Sequence, residues 1–109
     1  MASEVMMEKC VRAMTNSENT LLTVTADHTY TILNISLCET AGAAETFDLY
    51  LDPAGGSADT YIYKAQAIAA NATFEHTTRI VMNTTDVLYG RTADSADVDV
   101  VISYLDQTL

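Results

Sequence analysis

Residues 30–53 read YTILNISLCETAGAAETFDLYLDP, a pattern that strands write and helices do not. In its first half Leu33, Ile35 and Leu37 alternate with Ile32, Asn34 and Ser36, so one face is apolar and the other mixed. In its second half Phe47, Leu49 and Leu51 share a face, Asp48 and Tyr50 the other. Pro53 closes the run because proline has no N–H to give a ladder. With AGAA between the halves as a flexible turn, the stretch predicts a half-buried β-hairpin.

The same alternation extends outward. KCVRAMT (9–15) predicts a first strand, NSEN a polar break, TLLTVTA (20–26) a second strand, and Asp27-His28 a turn. PAGGSADT (53–60), the most glycine-rich segment, predicts a mobile, exposed loop tip. YIYKAQAIA resumes as a strand, and ATFEHTTRIVM follows, with Phe74 and Ile80 helping to close the core. DVLYGRT (86–92) and, after the turn ADSAD, VDVVISYLD complete the series, the last with Val98, Val100, Ile102 and Tyr104 on one side. Turn signals at intervals of about 8 to 12 residues are those of a sandwich rather than of βαβ units. The prediction is an all-β, seven- or eight-stranded antiparallel β-sandwich, jelly-roll or immunoglobulin-like, over residues 17–109. Residues 1–16 form an N-terminal arm or a first strand.

Within that segment Val5, Met6, Met7, Cys10, Val11 and Met14 fit either a helical stripe or an extended arm lying on a neighbouring subunit. Methionine packs adaptably on such surfaces. An ordinary first strand with a frayed start fits the same residues.

A chain of 109 residues suits one domain and buries roughly two thirds of its unfolded surface. Its apolar fraction is 49% and its charged fraction 18%, below the quarter or so usual for a solvated monomer. Some of the surface is therefore expected to meet protein. A net charge of −10 repels nucleic acid and anionic membranes, so neither is an expected partner. No run reaches the roughly 18 apolar residues of a membrane span. The start, MASEVMMEKC, has acids where a secretory signal has bases, which points to synthesis in the cytoplasm. Without that signal, the sequons at Asn34, Asn71 and Asn83 read as by-products of a threonine-rich β sequence.

No catalytic constellation emerges. His28 falls at a turn and His76 beside Glu75, without HxH or HExxH spacing, and both read as surface histidines. Asp52 with Asp59, and Asp94 with Asp97 and Asp99, suit calcium by chemistry but match no calcium-loop pattern. A solvated acidic rim accounts for them. Glu39 and Glu45 flank the AGAA turn as an unremarkable carboxylate pair, and no phosphate-binding or nucleophile motif occurs. No catalytic, cofactor-binding or metal-binding residue is expected. Cys10 and Cys38 are too far apart for a zinc ribbon or CxxC motif and read as half-buried thiols, able to join in a disulfide, within or between subunits, only outside a reducing cytosol. The six tyrosines belong to core and interfaces, or else Tyr61 and Tyr63 form a sugar platform beside the loop.

VDVVISYL carries Val101 and Leu105 on the face opposite Val98, Val100 and Ile102. A strand apolar on both sides exposes one of them in a lone sandwich, so these two residues are expected at an oligomer interface. A closed ring or trimer would also cover edge strands.

The succession YTILNISLCETAGAAETFDLYL, YIYKAQAIAANATFEH and DVLYGRTADSADVDVVISYLD resembles, over about residues 20–106, small β-sandwich virion structural proteins of tailed bacteriophages, of decoration or neck type. The resemblance implies a non-enzymatic virion protein. Foremost is a capsid decoration (cement) protein, a homo-oligomer and most readily a trimer, that stabilises the major capsid lattice. Val5, Met6, Met7, Val11 and Met14 would then be its anchors on the major capsid protein or another virion protein. A neck, collar or tail component is the alternative within this class, and a carbohydrate-binding module of a receptor-binding apparatus lies outside it.

Overall fold

The computed structural model describes residues 3–56, 58–94 and 96–108. Nine strands run in the order β1 (Ser3–Met14), β2 (Asn19–Thr23), β3 (His28–Glu39), β4 (Glu45–Asp52), β5 (Thr60–Ile68), β6 (Thr73–His76), β7 (Ile80–Met82), β8 (Val87–Thr92) and β9 (Val98–Thr108), with a 3-10 turn at Pro53–Gly55. They form two antiparallel sheets. One is ordered β1-β9-β3-β6, with β7 also paired to β3, and the other β2-β8-β4-β5. Their inner faces close over Ile35, Leu37, Phe47, Leu49, Leu88, Val100 and Ile102. The segment expected as one strand at 72–82 is two, β6 and β7, which pair with separate parts of β3.

The hairpin expected at residues 30–53 is an arch. β3 pairs with β9, β6 and β7 in one sheet, whereas β4 pairs with β5 and β8 in the other. The turn between them is held from inside by Glu39. Its carboxylate, on a residue only 1% exposed, accepts N–H groups from Ala41, Gly42, Ala43 and Asn71 at 2.9 to 3.2 Å. The Asn71 N–H first, then those of the turn, hold the Glu39 pKa below its ordinary value against the opposing pull of burial. The strands thus face each other across the core instead of lying edge to edge.

Bulges change which side chains face inward. One extra residue in β3, Leu33, sits between the pairs Ile32 to Tyr104 and Asn34 to Ser103. Ile32 consequently joins Ile35 and Leu37 in the core, while Leu33, expected on their face, remains half-buried. Four left-handed residues have their N–H accepted by a carboxylate from elsewhere in the chain. Ala13 donates to Asp99, Ala54 to Asp86, Ala65 to Asp48 and Asn71 to Glu39. Such residues leave the ladder, and an unpaired backbone N–H is costly when buried. Much of the acidity therefore serves the backbone. The acidic rim expected from sequence is corrected accordingly. Asp52 and Asp97 are buried, and Asp52 accepts the Ala58 N–H inside the loop expected to be mobile, a loop whose Ser57 lies outside the described residues.

Candidate interaction surface

β1, left open as an arm or a strand by the sequence, is a strand along its whole length, antiparallel to β9 from Ser3 opposite Thr108 to Met14 opposite Val98. It forms the edge of its sheet. Its two ends differ in burial. Met14 is fully buried and Val11 packs on the core, so their apolar surface is taken up within the chain. Val5, Met6 and Met7 are exposed, by 50%, 68% and 41% respectively.

Register places these side chains. Met7 lies opposite Tyr104 and Val5 opposite Asp106 on the inward side of the sheet, yet both remain exposed because the facing strand, β2, spans five residues against twelve in β1. Met6 projects from the outer face. There it belongs to a row crossing four strands: Met6 faces Leu105, Leu105 faces Thr31, and Thr31 faces Val81. A second row runs Cys10, Val101, Ser36, Glu75. Val81 and Val101 are exposed, and Leu33 and Leu105 half-buried. The middle of the outer face thus carries apolar groups set among Thr29, Thr31, Asn34, Ser36 and Ser103, with the charged Glu4, Glu8 and Glu75 on its flanking strands β1 and β6. Leu105 and Val101 lie where the sequence puts them, on that outer face. Val81 is the residue sequence reasoning missed. The signal was present: in Ile80-Val81-Met82 a three-residue strand with both ends turned to the core must point its middle residue outward.

The outer face of the other sheet is aromatic and polar. Tyr50, 1% exposed, lies between Tyr61 and Tyr89 with ring centroids 4.9 and 5.6 Å away. Its hydroxyl donates to Glu18 at 2.6 Å, and burial, reinforced by Glu18, raises its pKa. Arg91 donates to Asp48 and to the Tyr61 hydroxyl, while the Lys64 ammonium lies 4.6 Å from the Tyr61 ring centre. Burial raises the Asp48 pKa, but the Ala65 N–H, Arg91 and Lys64 outweigh it and the net shift is downward.

Tyr63 does not share this face. A bulge at residue 62, between the pairs Tyr50 to Tyr61 and Leu49 to Tyr63, turns it onto Phe47 and Phe74, with its hydroxyl 2.8 Å from His76 Nδ1. The Tyr61 and Tyr63 pair is therefore split between an exposed face and the core. The histidines are likewise not simple surface residues: His76 is buried, and His28 Nδ1 lies 2.6 Å from Asp106 Oδ1.

Cys10 and Cys38 both project from the outer face of the first sheet with β9 between them. They are two strand spacings apart, ~9.5 Å, and offset by two residues along the strands, which exceeds the reach of a disulfide within one chain. Both are free thiols. Among the described residues no cluster of three or more His, Cys, Asp or Glu is arranged to hold a metal ion, and no helix is long and apolar enough to cross a membrane.

No family model and no curated protein matches the chain. Solved structures share its fold. A chain of the Helicobacter pylori bacteriophage KHP30 acid-stable capsid aligns with TM-score 0.53 at 13% identity, over 100% of this chain and 94% of its own. A chain of the Ralstonia phage GP4 capsid aligns with TM-score 0.53 at 12% identity, over 94% and 83%. A Bacillus endospore appendage subunit, from a family of disulfide-linked pili, aligns with TM-score 0.53 at 12% identity, over 100% and 88%. All three alignments run through nearly the whole of this sandwich.

Proposed function

We propose that the protein is a non-enzymatic structural subunit of a bacteriophage virion, working by packing sheet surface against other subunits. The observation that carries this is the outer face of the five-stranded sheet, where Met6, Val81 and Val101 are exposed among threonine, serine and asparagine side chains, with the carboxylates of Glu4, Glu8 and Glu75 kept to its flanking strands. Such a face is costly in water and finds its natural cover in protein. The fold shared with phage capsid chains supports the setting. The reading we favour in detail is a homo-oligomeric capsid decoration protein held on the major capsid lattice, with Val5, Met6 and Met7 at the anchor and Val101 and Leu105 in an interface between copies. The carbohydrate-binding reading loses its motive once Tyr63 is turned inward.

Tagging the chain in its own genome and counting copies in purified particles tests this. Hundreds of copies fit decoration, about a dozen a neck or collar ring, and absence from particles overturns the virion reading. Met6→Glu and Val81→Glu are each expected to lower particle occupancy roughly tenfold or more. Circular dichroism and melting should change little, since exposed positions away from special backbone are tolerant. Undiminished occupancy in the double variant would remove this face from the attachment.

A further inference from the structure

We propose that β1 pairs with β1 of a second copy of this chain, antiparallel, about a two-fold axis that sets Cys10 opposite its own copy. The inference rests on the assembly reading above but specifies an interface which that reading leaves open.

A free edge strand offers a row of unpaired N–H and C=O groups, and twelve residues is a long edge. β1 is also the charge-balanced strip of an acidic chain, with Glu4 and Glu8 against Lys9 and Arg12. Two copies of a sandwich bearing −10 each would approach most readily there. Glu8, Cys10 and Arg12 are exposed, and among the described residues neither Glu8 nor Arg12 has an ion-pair partner.

Two-fold symmetry selects the register. Each symmetric antiparallel pairing places one residue opposite itself and matches the others at equal distances on either side, always on the same face. Centring on Glu8 or Lys9 sets like charges face to face. Centring on Met6 sets Glu4 opposite Glu8, and centring on Met7 or Val11 matches no charges. Centring on Cys10 sets Glu8 of each copy opposite Arg12 of the other, twice, with no like pair. Opposite charges directly across a sheet favour pairing and like charges oppose it. The same axis brings two exposed thiols face to face on the outer side, with Cα atoms at a separation that a disulfide spans. A two-fold dimer is then the building unit, in place of the trimer expected from sequence.

The test uses the purified full chain and no capsid, so it can fail while the virion reading stands, and the reverse. Sedimentation under reducing conditions should show a reversible dimer. Copper(II)-phenanthroline in air should give a covalent dimer on non-reducing gels, each pair of thiols losing two protons and two electrons to the copper and dioxygen as the S–S bond forms. Cys10→Ser should abolish the cross-link and Cys38→Ser should not. Glu8→Arg or Arg12→Glu alone should weaken the reversible dimer at least tenfold, and the double reversal should restore it. Circular dichroism verifies that each variant is folded. A chain monomeric at 100 µM (on the order of, for a weak association) overturns the proposal and makes Lys9 and the bulge at Ala13 guards of a blunted edge. So does a dimer that cross-links through Cys38 or ignores the charge reversals.

Discussion

Asp97→Asn is expected to stabilise the protein at pH 7.5 by about 2–3 kcal/mol and to change nothing near pH 4. Asp97 is 6% exposed and its Oδ1 is buried without a hydrogen-bond partner. Burial first, then the hydrogen bond and negative charge of Glu45, and more distantly Glu39 and Asp94, raise its pKa from 3.8 to about 6. Because the folded value lies above the unfolded one, the stability that protonated Asp97 contributes is complete below about pH 4 and is lost as pH rises through about 6. Glu39 and Asp48 have lowered values and act oppositely, contributing above their ordinary range and losing that contribution as pH falls. Stability should therefore peak in the mildly acid range. Asparagine cannot ionise and can donate to Glu45 at every pH, while the backbone bonds of residue 97 to Met14 and Thr40 remain. Thermal melts between pH 3.5 and 8 check this. The variant should melt roughly 8–12 °C above the parent at pH 7.5 and coincide with it near pH 4. Coincident curves throughout would mean that Asp97 ionises without penalty.

Gly90→Ala is expected to cost about 1–3 kcal/mol, read as a shift in the urea midpoint at unchanged slope. A Cβ at Gly90 would lie 2.8 Å from Met14 Sδ and 2.9 Å from Leu21 Cδ1. Both side chains are fully buried, so making room for the methyl group requires them to repack within the core. The contact joins the two sheets where the chain crosses from β1 to β2, with Met14 descending from one sheet onto β8 of the other. Met14→Ala alone should cost about 2–5 kcal/mol as a cavity. Combined with Gly90→Ala the loss should be less than the sum, because the new methyl group occupies part of the vacated volume. Strict additivity would show that the Met14 side chain does not pack against Gly90.

Most strands and most of the core were legible in the sequence. Phe47, Leu49, Ile35, Leu37, Val98, Val100 and Ile102 alternate as they should and are buried, since period-two alternation is a local property of a half-buried strand. The outward position of Val101 and Leu105 was legible for the same reason. Partnership was not. Nothing local in residues 30–53 distinguishes a hairpin from an arch, because the backbone groups of β3 pair as well with β9, 59 to 80 residues on, as they would with β4. The closing segment misleads in the same way, with β8 and β9 adjacent in sequence and in opposite sheets.

The site divides along the same line. Composition and patterning by themselves determined an acidic, charge-poor β domain with apolar residues left over for partners. Only the tertiary structure decided which of those residues are free. Met14 is consumed by the core, Tyr63 is turned inward by a bulge, and Val81 joins Met6 and Leu105 in a row assembled from four strands. The physical reason lies in the bulges and the residues that secure them. One extra residue reverses every face beyond it, and the left-handed residues at 13, 54, 65 and 71 are held by carboxylates 17 to 86 positions away. A period of two can be read along a strand. Where that period slips at Ala13 and Ala65, a carboxylate arriving from elsewhere in the fold holds the backbone.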